Sequence, residues 1–231
     1  MKSAYLILLT CLFSNLYNLV LANDGSYLTK GGLFYPTTET KISMDKEVLS
    51  FKVVNGWCEV NVAFEFNNPE KEARKLTVGF QAPTAVGDVD EETQSTNMIK
   101  DFLIQQNGNL LSYQLKIAEC EDCPLQEIGS WSPKHQGDGG VFVYLFEITF
   151  QPGINKINHS YRFPASNMVY KSEMYNYILT TGSKWADGTI KDLTVEIDMG
   201  GNSYFYVKDI FGKSASWNIL GTGKVTSKRY S

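Results

Sequence analysis

Only two histidines, His135 and His159, occur in the 231 residues, and neither has a neighbour at a metal-ligand or triad spacing. Zinc or acyl-transfer chemistry would therefore need groups gathered from far along the chain. A basic excess is lacking too. The 21 Lys and Arg are set against 25 Asp and Glu with the signs interspersed, which leaves no cationic track for phosphates and argues against a nucleic-acid partner. No G-x-S-x-G nucleophile elbow is present. Gly221-Thr222-Gly223-Lys224-Val225 fails as a phosphate loop, because Asn218 and Val225 stand where the first glycine and the hydroxyl residue are required. What is abundant is aromatic: 13 Tyr and 13 Phe, against 7 Pro, describe a folded sheet protein instead of a disordered tail.

The one long apolar run lies at the start. Met1-Lys2 is followed by Ala4 to Phe13, then by a stretch broken at Ser14, Asn15, Tyr17 and Asn18 and ending Leu19-Val20-Leu21-Ala22. One positive charge, a short hydrophobic segment and small or branched residues before Ala22 form the grammar of a signal peptide, residues 1–22, cleaved before Asn23. A spanning helix needs about 20 mostly apolar residues, and no later segment offers them, so no transmembrane segment is expected after cleavage. Residues 23–231 are then an extracytoplasmic domain: periplasmic, associated with the cell envelope, or secreted.

The body alternates. Around the Asn55-Gly56 turn, Lys52-Val53-Val54 and Cys58 to Phe66 form a hairpin signal. In the second arm Cys58, Val60, Val62, Phe64 and Phe66 share one face, while Glu59, Asn61, Ala63 and Glu65 share the other. Further strands are expected at Leu76–Gln81, Ile99–Gln106, Leu111–Ala118, Val141–Phe150, Ile154–Phe163, Tyr175–Thr180, Leu193–Met199, Tyr204–Val207 and Trp217–Leu220. Turns at Asn107-Gly108-Asn109, Gln151-Pro152-Gly153 and Gly200-Gly201-Asn202 separate them. So many short strands with almost no helical periodicity predict an all-β fold, an antiparallel β-sandwich or two stacked β-sheets with long loops. The loops are Pro83 to Asn97 and Cys120 to Gly140. A two-lobed organisation with its boundary near 120–140 is open, the strands on both sides being expected to share one core.

Loops on a rigid sheet scaffold are where binding resides. In the second loop Trp131, His135 and Asp138 are the candidate binding residues, Trp131 as an exposed aromatic platform. The other aromatics, Trp57, Trp185, Trp217 and Tyr204-Phe205-Tyr206, read as core fillers or as platforms for sugars or a protein. Cys120 and Cys123 form a C-x-x-C pair open to a disulfide, half a metal site or a redox dithiol. Compartment favours the disulfide, and Glu119, Glu121 and Asp122 disfavour a thiolate. Cys58 is the third cysteine available for pairing, and its place on an apolar strand face also reads as a buried small side chain. His159 alternates with Ile157, Tyr161 and Phe163, which describes a structural histidine. The acidic cluster Asp88-Val89-Asp90-Glu91-Glu92 lacks the glycine turn of a calcium loop. No metal site, cofactor or catalytic residue is assigned.

Several phrases carry a resemblance. Asn23 to Tyr27, Gly31-Gly32-Leu33, Glu39 to Met44 and Lys46 to Phe51 open the mature chain. The phrases Phe64 to Pro69 and Leu76 to Phe80 follow, and later come His159 to Arg162, Tyr177 to Gly182 with Trp185, and Leu193 to Gly200. The chain resembles a secreted bacterial family of unknown function, of Bacteroidota type, in particular the amino-terminal region of exported proteins that often carry a C-terminal YARHG domain. The phrases belong to strands and turns, so the resemblance implies location and a β fold. No Tyr-Ala-Arg-His-Gly motif occurs here, and that domain's properties are not carried over. The strand, Asn-Pro and next-strand arrangement is also similar to vault/inter-α-trypsin β domains, which implies an interaction module.

The expectation is a non-catalytic envelope or secreted binding module for an unknown glycan or protein. The alternatives are an envelope-polymer hydrolase working through carboxylates brought together by folding, and a structural or assembly protein that adds a strand to a neighbour.

Overall fold

A computed structural model describes residues 34–36, 40–83, 96–119, 124–130, 140–167, 173–175, 177, 184–202, 204–207, 217–219 and 224–230. Its strands are β1 (Phe34–Pro36), β2 (Ser43–Val54), β3 (Trp57–Asn68), β4 (Arg74–Pro83), β5 (Lys100–Gln106), β6 (Asn109–Leu110), β7 (Gln114–Ala118) and β8 (Gln126–Glu127). They continue with β9 (Val141–Phe150), β10 (Gly153–Pro164), β11 (Ser166–Asn167), β12 (Glu173–Met174), β13 (Ala186–Asp198), β14 (Trp217–Ile219) and β15 (Lys224–Tyr230). Among the described residues the sole helix is a 3-10 turn at Ile128–Ser130.

Two sheets form the sandwich: a large one ordered β14-β15-β13-β2-β3-β10-β5-β6 and a small one ordered β1-β4-β9-β7-β8. Alternation decides the layers. On β3 the odd-face residues Glu59, Asn61 and Ala63 are exposed while Cys58, Val60, Val62 and Phe64 are buried, and on β9 the buried set includes Phe142, Tyr144, Phe146, Ile148 and Phe150. The two inner faces meet in a band of rings: Phe66 on Phe150 at 5.5 Å, Phe80 on Phe102 at 5.0 Å and Phe102 on Tyr144 at 4.3 Å between centroids. β7 and β9 pair directly across the 120–140 stretch.

The expected hairpins form as their turn residues dictate. Asn55 (φ 51°) with Gly56 (φ 76°), and Asn107 (φ 50°) with Gly108 (φ 84°), hold two consecutive left-handed residues, the geometry that matches strand twist in a two-residue connection. Gln151-Pro152-Gly153 instead carries the chain from one sheet to the other. Asn155 organises that crossing, accepting from the Gln151 N–H at 2.8 Å and donating to the Gln151 and Gly153 carbonyls.

Three strand expectations are corrected. The segment 204–207 has no regular structure; Tyr204 and Tyr206 are 97% and 84% exposed, so the alternating aromatics have strand propensity but no apolar face to bury. At Leu111–Ala118 the first three residues cross between sheets, and pairing begins at Gln114. Tyr175 and Tyr177 are not in strands, the rest of Tyr175–Thr180 lying outside the described residues apart from these two. Within the otherwise antiparallel sheets, β2 and β13 pair in parallel from Ser43↔Ala186 to Lys52↔Asp198.

Candidate functional site

The outer face of the large sheet carries a hollow of about 280 Å³, lined by Val48 and Ser50 of β2, Asn61 and Ala63 of β3, Asn158 and Ser160 of β10, and Leu103 and Gln105 of β5, with Val62 and His159 beneath. Register places the upper side chains in two adjacent cross-strand rows. One runs Ser50↔Asn61↔Ser160↔Leu103 and the other Val48↔Ala63↔Asn158↔Gln105. The floor is low because Ser, Ala and Ser stand at its centre, while the flanking rows bear long side chains: Lys46, Glu65 and Lys156 on one side, and Lys52, Glu59 and Arg162 on the other.

Three of those six flanking charges are ion-paired. Lys156 pairs with Glu65 at 3.8 Å and Arg162 with Asp101 at 2.6 Å, and the Arg162 guanidinium also stacks 4.7 Å over Trp57. Asp101 reaches this position from the bulge in the β10–β5 ladder, where its φ is 54°. At the β13 side the Ser50 hydroxyl donates to Glu196 at 3.1 Å. By contrast Asn61, Asn158, Gln105 and Ser160 make no side-chain hydrogen bond to any described residue, and Leu103 is 53% exposed beside them. Three carboxamides and a hydroxyl thus face solvent together. Such groups each offer donors and acceptors without charge.

Beneath the sheet lies a second unusual group. Glu47 is 1% exposed, and neither carboxyl oxygen has a hydrogen-bond partner among the described residues. It follows the bulge at Met44/Lys46 and stands beside Phe64 of β3 and Leu193 of β13. Burial pushes its carboxyl from 4.5 up to about 8. The phenol of nearby Tyr177 is pushed well up by burial, then by Tyr161 and by Glu47. In the same core His159, among the rings of Phe64, Phe80, Phe102 and Tyr161, is pushed by burial from 6.5 down to about 3 and is neutral. The sequence marked His159 as structural but passed over Glu47. Its signal was available, since Glu47 shares parity with Leu49, Phe51 and Val53.

Cys58 is a buried free thiol whose pKa burial, then Glu59, push up to about 12. Its suggested partners Cys120 and Cys123 lie outside the described residues, as do Trp131, His135, Asp138 and the acidic cluster at 88–92. Trp185 fills the core, 4.3 Å from Phe66 and 5.8 Å from Phe150. Tyr204 and Tyr206 are exposed.

Fold and site together define an all-β sandwich with a solvent-facing polar hollow. Residues 22–120 match a family model described as a domain of unknown function, DUF4424. Among solved structures the chain is similar to the crystal structure of a "putative nutrient binding protein" from Legionella pneumophila, at a TM-score of 0.65 and 18% identity over 89% of this chain and 67% of that one. A comparison with curated proteins found no match. At 18% identity the likeness is one of fold. The resemblance noted in the sequence is met in its general form, a domain of unknown function; these matches carry neither its Bacteroidota nor its YARHG particulars.

Proposed function

We propose that the chain is a non-catalytic binding module that works outside the cytoplasm, in the periplasm, at the cell envelope or secreted, and that the hollow on the outer face of the large sheet is its recognition surface. The observation that carries this reading is the set of unengaged carboxamides of Asn61, Asn158 and Gln105 around one depression. A surface of that kind holds ligands by hydrogen bonds and has no group poised to move protons. Two strongly perturbed acid–base groups, Glu47 and His159, are sealed in the core, 1% and 3% exposed, where a substrate does not reach them. The nutrient binding named for the Legionella neighbour points the same way, and the family match starts at Ala22, the expected cleavage point.

The test is a pull-down with the mature chain against envelope polysaccharide, peptidoglycan and envelope-protein fractions, alongside Ala63→Arg, which fills the hollow from its exposed centre. Saturable retention on one fraction, lost in Ala63→Arg, is the expected result. Retention that survives the filled hollow sinks the placement of the site, and a parallel Trp131→Ala variant then asks whether the 120–140 loop is responsible.

A further inference from the structure

The carboxamides, the lack of a charged side chain in the lining and the apolar rest at Leu103 restrict what the hollow can hold. Resting on the reading of this face as a recognition surface, we infer that its ligand is a neutral carbohydrate, one saccharide unit seated among Asn61, Asn158, Gln105 and Ser160 with its C–H face on Leu103.

A volume of about 280 Å³ lies at the small end of ligand sites, which run roughly 300–1,000 Å³. It suits a single sugar ring with any continuing chain lying out over the rim. Inside the two rows stand carboxamides, hydroxyls and small apolar groups, with no Lys, Arg, Asp or Glu. A ligand dense in hydroxyls both donates and accepts, and so does a carboxamide, so each Asn or Gln can engage two neighbouring hydroxyls without paying for a buried charge. The apolar Leu103, 53% exposed, matches the C–H face such rings present.

Other ligand classes fit less well. An anionic polymer needs cations in the lining, and the four that flank it stand in outer rows shared with carboxylates, Lys46 and Lys156 beside Glu65 and Lys52 and Arg162 beside Glu59, with Glu196 bordering the β13 side; its own charge would be left unmatched inside the hollow. A peptide is usually held by a free strand edge or by an apolar side-chain pocket. Here β2, β3 and β10 are each paired on both sides, so the backbone under the hollow is already used. Its floor is shallow.

The experiment is a chemical-shift titration of the isotopically labelled mature chain with methyl glucoside, methyl galactoside, methyl N-acetylglucosaminide, glucuronate and tri-alanine. Asn61→Ala and Asn158→Ala are run in parallel, both at exposed positions, with urea midpoints confirming their fold. At least one neutral glycoside is expected to shift the side-chain amides of Asn61, Asn158 and Gln105 saturably and independently of salt. Each variant should weaken that binding about three- to tenfold, the value of one neutral hydrogen bond. Glucuronate or tri-alanine binding that is lost in the variants overturns the ligand class and leaves the recognition face standing. Glycoside binding unaffected by both variants overturns the inference, and so does the failure of every neutral glycoside to shift these amides. The Ala63→Arg pull-down then decides separately whether the face binds anything.

Discussion

The carboxyl of Glu47 and the imidazole of His159 sit in one core with opposite displacements, and together they set how stability depends on pH. For Glu47 the folded pKa is about 8 against 4.5 when exposed. The folded state therefore holds the proton that the unfolded state gives up, and stability falls as pH rises from about 4.5 to about 8. At about 1.4 kcal/mol per unit the loss is about 3 kcal/mol at pH 7 and about 5 kcal/mol above pH 8. For His159 the folded pKa is about 3 against 6.5. The unfolded state takes up a proton that the folded state refuses, so stability falls as pH drops from about 6.5 to about 3, again by up to about 5 kcal/mol. Between about 4.5 and 6.5 the two slopes cancel, giving a plateau with an alkaline limb owned by Glu47 and an acid limb owned by His159. Urea unfolding across this range reads the effect directly: with a slope near ~2 kcal/mol per M, Glu47→Gln should raise the midpoint by about 1.5 M at pH 7 and leave it unchanged below pH 4. His159→Phe, which keeps a ring among Phe64, Phe80 and Phe102, should flatten the acid limb and turn the plateau into the uncompensated Glu47 slope, so that stability falls from about pH 4.5 upward. An alkaline limb that persists in Glu47→Gln would falsify the assignment, since the carboxylate would then have a partner or water that stabilises its charge.

Three further outcomes are expected. Cys58, buried and with its pKa pushed to about 12, should resist a thiol reagent in native buffer and react once urea unfolds the chain, as followed by mass spectrometry; rapid native labelling would contradict its burial. Gly200→Ala should cost about 1–3 kcal/mol in urea melts, because φ is +61° and a Cβ would lie 2.8 Å from the Val53 carbonyl oxygen. Gly188→Ala, at φ +64° with open space around it, should cost about 1 kcal/mol, and equal costs would discount the steric contact. Asn68→Ala should cost about 2–4 kcal/mol in the same assay, because its amide donates to the Glu72 and Phe150 carbonyls and its oxygen accepts from the Glu70 N–H.

Period-two alternation made the scaffold legible, because a sheet buried on one side writes its face into every second residue. The limits Val141–Phe150 emerged unchanged, and Cys58 to Phe66 fell on the predicted face. The same rule misled at Tyr204–Val207, where propensity had no apolar surface to serve. The hollow was half visible: Asn61 and Ala63 were placed opposite the apolar face of β3, and on β10 Asn158 and Ser160 fall between the alternating Ile157, His159 and Tyr161. That Ser50↔Asn61↔Ser160↔Leu103 would line up is a matter of register between strands up to about 100 residues apart in sequence. Local pattern does not encode such register. Glu47 escaped for a different reason, since a charged residue in a run is ordinarily taken as a solvated one, and its parity with Leu49 and Val53 was the only sign otherwise.

The parallel seam between β2 and β13 has a consequence for the order in which the molecule is built. β2 ends at Val54 and its neighbour begins at Ala186, so at about 5–20 residues per second the ribosome needs on the order of ten seconds between finishing one and starting the other. Throughout that interval one side of β2 lacks the strand that will finally cover it. Nascent chains therefore present an adhesive margin, and a chain shortened before β13 would keep it permanently. Completion of the carboxy-terminal half works as a lock on the amino-terminal half.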